Sequence, residues 1–214
     1  MDRRISPSIL AADYLNLERD VRRVVECGAD WLHVDVMDAH FVRPLTFGAP
    51  MVEQLRRICE VPLDVHLMTD RPEQLAQDVL DAGADIVTFH VEATKDPKAL
   101  IDLIHARGKK AGISLKPGTE LSAVLPFVQD VDMVLVMTVE PGYGGQKLIP
   151  ETLDKARALR ALRPDLLIQA DGGIADSTVK EVLASGVNVL VAGSAVYKAE
   201  DPRSLIQRWK AIEL

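Results

Sequence analysis

Short apolar runs alternate with amphipathic stretches along the whole chain. The apolar runs have the length of strands and predict eight of them, at residues 5–10, 31–36, 63–67, 86–91, 111–115, 133–137, 167–170 and 187–191. Helical spacing of apolar residues predicts helices at 14–27, 49–59, 72–82, 97–107, 121–128, 150–162, from a cap at 176–177 to 185, and at 202–212. Each strand is thus followed by one helix, which predicts a parallel sheet covered by helices.

Local signals at the element boundaries support a repeated unit. Asp13 can accept a hydrogen bond at the start of the first helix, and Gly28 can end that helix. Gly-Ala-Asp at 28–30 recurs at 83–85, and Gly-Val-Asn at 186–188 takes the same place before the last strand. In each case a glycine ends the helix and a polar residue precedes the strand.

Eight such units with no segment left over favour a closed α/β barrel, the (β/α)8 TIM barrel, forming a single domain over residues 1–214. An open doubly wound sheet would carry a glycine-rich dinucleotide loop after its first strand. Leu10-Ala11-Ala12 follows Ile9 instead, and this excludes the open sheet.

The composition narrows the classes of function. Hydrophobic residues make up 48% of the chain, which excludes a disordered protein. The net charge of −7 and the pI of about 5.3 argue against binding to nucleic acid or to anionic membranes. The apolar runs are too short to span a bilayer and no signal peptide is evident, so we expect a cytoplasmic protein. Cys27 and Cys59 lack metal-binding or redox spacing, and we expect buried structural thiols.

Histidines and carboxylates stand where several predicted strands end. His33, Asp35 and Met37 alternate along one strand and so share a face. His66 and Asp171 close two further strands. Because active sites of barrels lie at the carboxyl ends of the strands, His33, Asp35, His66 and Asp171 are predicted to converge. Two imidazoles and two carboxylates suit zinc, iron, manganese or cobalt better than calcium or magnesium, so one divalent metal cation per subunit is expected.

Other polar residues near these strands are predicted to be supporting, structural or solvated residues. Asp64 shares the parity of His66 one layer deeper, so we expect it to support a metal ligand. His90 also ends a strand, and we expect a structural role for it. His40 and His105 are expected to be solvated, and Asp38 is expected to have a structural or supporting role.

Three methionines follow strand ends beside the predicted metal site. Met37, Met68 and Met137 would form an apolar pocket wall that supplies no stray proton donor near a reacting carbon.

Glycines follow the last three strands. Pro141-Gly142-Tyr143-Gly144-Gly145-Gln146 follows the sixth strand, Gly172-Gly173 the seventh and Gly193-Ser194 the eighth. Backbone N–H groups of such loops can approach an anion closely, and barrels commonly bind phosphate there. We therefore expect phosphate binding by backbone amides.

A metal beside a phosphate site indicates chemistry on a small phosphorylated sugar. Asp35 and Asp171 come from opposite sides of the predicted pocket. One aspartate could remove a proton from a carbon next to a ketone while the other delivers a proton from the opposite face. A metal would stabilise the intervening enediolate, and the result is epimerisation.

The motifs together strongly resemble the ribulose-phosphate 3-epimerase family over essentially the whole chain. They are Ser6-Pro7-Ser8-Ile9-Leu10, His33-Val34-Asp35-Val36-Met37-Asp38, Asp64-Val65-His66-Leu67-Met68, Glu140-Pro141-Gly142-Tyr143-Gly144-Gly145-Gln146-Lys147 and Asp171-Gly172-Gly173-Ile174. The resemblance implies a barrel of the ribulose-phosphate-binding type that interconverts D-ribulose 5-phosphate and D-xylulose 5-phosphate in the pentose phosphate pathway. It also implies that His33, Asp35, His66 and Asp171 bind metal and that the two aspartates are the acid/base pair. Substrate contacts are implied for Ser8, His66, Gly142, Tyr143, Gly144, Gly145, Gly172, Gly173, Gly193 and Ser194.

The chain departs from the family pattern in two loops. Ala39 stands where the family generally has Gly, Arg43-Pro44 where it has Pro-Asn, and Tyr143 where Phe is usual. These changes bear on loop shape and substrate preference, since none alters a predicted metal ligand.

Three alternatives remain at this stage. The first is a 3-epimerase acting on D-allulose 6-phosphate, which would share the metal and both aspartates. The second is a barrel lyase or decarboxylase, for which Lys116 is the only candidate lysine. The third is a non-catalytic phosphate-binding barrel. Self-association into a homo-oligomer is expected from the exposed helix faces and from the family.

Overall fold

Eight parallel strands form the centre of the molecule. The computed structural model describes residues 2–214. The strands are β1 Arg4–Pro7, β2 Leu32–Met37, β3 Leu63–Met68, β4 Ile86–His90, β5 Lys110–Leu115, β6 Met133–Met137, β7 Leu167–Asp171 and β8 Val189–Ala192. Their order is β1-β8-β7-β6-β5-β4-β3-β2, and a single parallel bridge between Ser8 and His33 joins the two ends. The predicted (β/α)8 barrel is confirmed.

Helices surround the sheet. They are α1 Leu17–Glu26, α2 Ala49–Ile58, α3 Pro72–Asp81, α4 Pro97–Ala106, α5 Leu153–Leu162, α6 Val179–Ala184, α7 Ser194–Tyr197 and α8 Pro202–Lys210. The starts of α4 and α8 show why these segments are helical. Asp96 and Asp201 accept hydrogen bonds from the backbone N–H of Ala99 and Ser204, and a proline follows each aspartate. Among the described residues, no helix has both the length and the apolar character needed to cross a membrane.

The predicted helix at 121–128 is wrong. The chain forms two 3₁₀ turns there, Leu121–Ala123 and Leu125–Phe127. Pro126 lies inside the predicted helix, where it has no N–H to donate and its ring would meet the carbonyl four residues earlier. The apolar spacing is real, because Val124 and Val128 are buried, but 3₁₀ turns present it.

The first two predicted elements also need correction. The strand predicted at 5–10 ends at Pro7, because Ser8 accepts a hydrogen bond from Leu10 N (3.3 Å) and starts the 3₁₀ turn Ile9–Ala11. The helix predicted from 14 begins as the 3₁₀ turn Tyr14–Asn16, which Asp13 caps, before α1 starts.

The predicted cap at 176–177 is wrong as well. Thr178 is the N-cap residue of α6. Asp176 instead accepts a hydrogen bond from the indole N–H of the buried Trp209 (2.6 Å) and pairs with Arg208. Of the two thiols, Cys59 is buried as expected, while Cys27 is only partly buried.

An apolar layer closes the bottom of the barrel. Trp31, Ile86, Met133 and Val189 lie at or just before the starts of the even-numbered strands and pack together. Layers contributed by alternate strands are the usual filling of such a barrel. The polar side chains of the interior therefore lie further along the strands, toward their carboxyl ends.

Candidate metal centre and active site

Four side chains meet at the carboxyl ends of three strands. His33 and Asp35 lie on β2, His66 on β3 and Asp171 on β7. Asp35 and His66 are partners in the β2–β3 register. Because the sheet curves into a barrel, Asp171 on β7 lies next to them. One possible ligand atom from each residue lies within 4.8 Å of the others. The structure thus brings together all four residues that the sequence singled out for a metal.

The two histidines present nitrogens that other groups leave free. His33 Nε2 and His66 Nδ1 are buried and make no hydrogen bond within residues 2–214. Asp35 Oδ1 lies 3.3 Å from the first nitrogen and 3.5 Å from the second, and Asp171 Oδ2 lies 3.9 and 3.8 Å away. Unpaired buried nitrogens facing two carboxylates fit a divalent cation, since burial of such groups is otherwise unfavourable.

Asp64 holds His33 from below. Its Oδ2 atom lies 2.8 Å from His33 Nδ1 and also accepts hydrogen bonds from Ser6 Oγ (3.1 Å) and Gln169 Nε2 (2.5 Å). The carboxylate thereby fixes the ring so that Nε2 faces the cluster, which is the supporting contact expected of Asp64. Ser6 and Gln169 were not identified from the sequence, although both are polar residues in buried strands.

His90 contacts a candidate metal ligand directly. Its Nε2 atom lies 2.9 Å from His66 Nε2, and its Nδ1 lies 3.1 Å from Glu92 Oε2. Sequence reasoning assigned His90 a general structural role and missed this contact. The available signal was the alternation of Thr88 and His90 on a buried strand, which puts both side chains on one face.

Hydroxyl groups position Asp35. Ser8 Oγ donates a hydrogen bond to Asp35 Oδ2 (2.5 Å), which leaves Oδ1 toward the histidines. Thr46 Oγ1 donates to the Asp35 carbonyl (2.5 Å) and so ties the loop after β2 to the end of that strand. Ser8 was expected to contact substrate, and in the structure its hydroxyl is hydrogen-bonded to Asp35.

The two aspartates ionise differently. Burial opposes ionisation of Asp35, but the neighbouring His33 and His66 hold its pKa well below the ordinary range. Burial and the negative charge of Asp35 raise the pKa of Asp171 to about 7. Burial disfavours the charge of His33, but the carboxylates of Asp64 and Asp35 raise the pKa of His33 well above its usual value. Asp35 is thus ionised at neutral pH, while Asp171 is protonated in part of the molecules.

The three methionines are buried on two sides of this cluster. Met37 and Met68 are register partners on β2 and β3 and pack with Val42. Met137 is the register partner of Asp171 and packs with other residues of and after β6. Each methionine is at most 2% exposed.

The loop after β6 is open in its second half. Gly142 has φ +123°, and a Cβ there would touch Val42 and Pro44 of the loop after β2. The Tyr143 side chain is 61% exposed. A Cβ on Gly144 or Gly145 would meet no atom within 4 Å, so the backbone of these two glycines is accessible.

Glycines after β7 and β8 have closer neighbours. A Cβ on Gly172 would lie 2.2 Å from a Val139 methyl group, and one on Gly173 would lie 2.4 Å from Leu148 N. Gly193 is the N-cap residue of α7, which Ser194 begins. The loops after β6 and β7 therefore pack directly on each other, which is a reason for glycine that is separate from ligand binding.

The loop after β2 is held by Asp38. Its Oδ1 accepts hydrogen bonds from His40 N and Phe41 N, and its Oδ2 accepts one from Asp70 N. Ala39 within this loop has φ +62°, and it is the only non-glycine residue with positive φ in the described part of the chain. Left-handed backbone favours glycine, so Ala39 adopts a conformation that is strained for a residue with a Cβ.

The remaining sequence candidates lie outside the cluster. His40 is exposed, as expected. His105 is exposed as well, and its Nε2 lies 2.9 Å from Asp132 Oδ2. The ammonium of Lys116 lies 3.7 Å from the centre of the Phe41 ring.

Solved structures share this fold. A 3-hexulose-6-phosphate synthase aligns with TM-score 0.70 and 19% identity, covering 99% of each chain. A 3-keto-L-gulonate-6-phosphate decarboxylase from Vibrio cholerae aligns with TM-score 0.75 and 16% identity, covering 98% of each chain. At these identities the similarity concerns the barrel alone.

Similarity in sequence is much closer to one group of proteins. The ribulose-phosphate 3-epimerase of Mycobacterium bovis is 50% identical over 206 residues, which are 94% of this chain and 89% of that protein. A cytoplasmic isoform of ribulose-phosphate 3-epimerase from Oryza sativa is 45% identical, covering 95% of this chain and 91% of that protein. The model of the ribulose-phosphate 3 epimerase family matches residues 4–197. The chain therefore belongs to the ribulose-phosphate 3-epimerase family and is an enzyme, an isomerase of the epimerase type.

Proposed function

We propose that this chain interconverts D-ribulose 5-phosphate and D-xylulose 5-phosphate by moving a proton at C3. The observation that carries the proposal is the pair Asp35 and Asp171, which reach one cluster from different strands with their pKa values displaced in opposite directions. Carboxyl groups whose environments separate their pKa values are suited to act as base and acid. The relatives at 45–50% identity are ribulose-phosphate 3-epimerases, which supports the same reaction.

The proton steps balance within the pair. The ionised aspartate takes the C3 proton, and the electrons of the C–H bond move toward the C2 carbonyl to give an enediolate. The protonated aspartate then donates its proton to C3 from the other face, which inverts that carbon. The two carboxyl groups have exchanged protonation states, so the reverse reaction uses them in the opposite roles.

A metal fits among the residues that surround this carbon. We propose that His33, Asp35, His66 and Asp171 hold one divalent cation, with zinc, iron, manganese and cobalt all suited to these donors. When bound, the cation supplies a Lewis acid that stabilises negative charge on the substrate oxygens. Asp35 is already oriented for this by the Ser8 hydroxyl, and His33 by Asp64.

The remaining proposed contacts concern the rest of the substrate. The accessible backbone at Gly144 and Gly145 and the start of α7 at Ser194 would bind the phosphate through N–H groups. The buried methionines would exclude water from the reacting carbon. The decarboxylase alternative gains no support, because the Lys116 ammonium lies on the Phe41 ring. A cytoplasmic location and assembly into a homo-oligomer stay predictions.

Exchange of the C3 proton with solvent deuterium tests the mechanism. Asp35→Asn and Asp171→Asn should each reduce turnover by at least ~10²-fold, because one required proton carrier is lost. Asp78→Asn changes an exposed aspartate on α3 and should keep the wild-type rate. A rate near wild type in either Asp35→Asn or Asp171→Asn would refute the two-aspartate mechanism.

The substrate is tested on the wild-type protein. D-ribulose 5-phosphate should turn over with higher kcat/KM than D-allulose 6-phosphate when both are assayed on one metal-loaded sample. Preference for the hexulose phosphate would reject the proposed substrate. Binding of the pentulose phosphate without C3 exchange would instead identify a non-catalytic barrel.

A further inference from the structure

Three side chains form a row that leads from the candidate metal centre into the loop after β4. His66 Nε2 lies 2.9 Å from His90 Nε2, and His90 Nδ1 lies 3.1 Å from Glu92 Oε2. Both imidazole rings are fully buried, and their planes are inclined at 26° to each other. Nothing in the reaction proposed above uses His90 or Glu92.

Hydrogen-bond chemistry gives the row one direction. Two imidazole nitrogens 2.9 Å apart bond only if one carries a proton and the other offers a lone pair. Glu92 as a carboxylate can only accept, so His90 carries its proton on Nδ1 and offers a lone pair at Nε2. His66 must then carry its proton on Nε2, which leaves the Nδ1 lone pair directed at Asp35 and Asp171.

The opposite direction would place two hydrogen-bond acceptors against each other. If His66 were protonated on Nδ1, His90 would have to be protonated on Nε2. The lone pair of His90 Nδ1 would then face the carboxylate of Glu92 at 3.1 Å, which is repulsive. The choice of protonated nitrogen in one histidine is set by the bond that its other nitrogen makes.

Glu92 is itself held in place. Its Oε1 atom accepts hydrogen bonds from Lys116 N (2.8 Å) and Thr119 Oγ1 (2.5 Å) in the loop after β5. The Phe41 ring packs against the His90 ring, with centroids 4.7 Å apart. The row therefore has a fixed carboxylate at its outer end and little freedom to rotate.

We propose that Glu92 and His90 are positioning residues, which fix the protonated nitrogen and the ring orientation of His66 so that its Nδ1 can bind the metal. The inference rests on the proposed metal site. It gives both histidine ligands a carboxylate support: Asp64 contacts His33 directly, and Glu92 acts on His66 through His90.

Zinc affinity provides the first test. We expect His90→Leu and Glu92→Gln to lower zinc affinity about 10- to 100-fold in competition with a chromophoric chelator. Both oxygens of Glu92 accept hydrogen bonds, so the amide N–H₂ introduced by Glu92→Gln would face a donor, at either His90 Nδ1 or Lys116 N. His90→Gln should stay within about threefold of wild type, because an amide oxygen can still accept from His66 Nε2. Glu60→Gln, which alters an exposed carboxylate, is the matched control and should bind zinc like the wild type.

Nitrogen NMR of the zinc-loaded wild type provides a second test that needs no variant. The expected spectrum has His90 protonated on Nδ1 and His66 on Nε2. Protonation of His90 on Nε2 would overturn the inference even if His90→Leu fails to fold. Unchanged zinc affinity in both His90→Leu and Glu92→Gln would also overturn it, while the proposed metal site would stand. Failure of the wild type to bind zinc would overturn both.

Discussion

Gly144 and Gly173 lie in neighbouring loops of the proposed phosphate site, yet alanine should affect them in opposite ways. A Cβ on Gly173 would come within 2.4 Å of Leu148 N and 2.7 Å of Leu148 Cα, and Gly173 has φ +68°. A Cβ on Gly144 would meet nothing within 4 Å. Gly173→Ala therefore perturbs the packing of two loops, whereas Gly144→Ala perturbs only the space in which a ligand would lie.

The expected destabilisation by Gly173→Ala has two parts. Left-handed backbone costs an L-residue about 1–2 kcal/mol. Displacing the backbone at Leu148 adds about 1–3 kcal/mol, by analogy with overpacked cores. The sum is about 2–5 kcal/mol. For a chain of 214 residues this lowers Tm by about 4–20 °C.

Gly144→Ala should leave the fold at least as stable, because alanine restricts the unfolded chain and no atom opposes its side chain. If a phosphate binds against this backbone, the added methyl group displaces it from a charge-assisted hydrogen bond worth about 1.5–3 kcal/mol. That loss raises KM about 10- to 100-fold with kcat less affected.

Thermal unfolding and steady-state kinetics on both variants test this reasoning. The expected result is a low Tm for Gly173→Ala, and a normal Tm with a high KM for Gly144→Ala. A normal Tm for Gly173→Ala would refute the packing argument. A wild-type KM for Gly144→Ala would show that the phosphate does not approach this loop.

Three further predictions concern stability. Ala39→Gly should raise the free energy of unfolding by about 0.5–1 kcal/mol in urea titration. Glycine relieves the strain of a φ of +62°, and this gain exceeds the cost of the greater conformational entropy that glycine gives the unfolded chain. A loss of stability would contradict this explanation. Burial disfavours the charge of Asp85, yet Lys109, Leu63 N and Arg56 lower its pKa. The ionised carboxylate therefore contributes to the free energy of unfolding at neutral pH, and this contribution is lost as pH falls below about 4. Asp85→Asn should therefore destabilise more at about pH 7 than at about pH 3, and an equal effect at both would refute the pairing. Removing metal with a chelator should lower Tm by about 5–10 °C, since ligand at 100 times Kd contributes about 2.7 kcal/mol; an unchanged Tm in a sample shown to contain metal would argue against binding at the folded cluster.

Much of the fold follows from local signals in the sequence. Apolar runs of strand length and helical spacing of apolar residues predict the alternation of strands and helices. Eight such units predict the barrel. At 121–128 the apolar spacing is helical, but Pro126 prevents a continuous helix, and this proline is visible in the sequence. The end of β1 at Pro7 depended on a bond between Ser8 Oγ and Leu10 N that no hydrophobic pattern shows.

The candidate ligands were also within reach of the sequence. Strand parity sets the face on which a side chain lies, and barrel topology puts strand ends together. The sequence alone therefore groups His33, Asp35, His66 and Asp171.

Only the tertiary structure decided which polar groups support those ligands. Gln169 meets Asp64 across 105 positions of sequence, and His90 rather than Asp64 contacts the ring nitrogen of His66. The structure also separated glycines that packing requires, such as Gly173, from glycines with open space, such as Gly144. The physical reason is that sequence pattern fixes the direction of a side chain, whereas the partner it meets depends on the register and closure of the whole barrel.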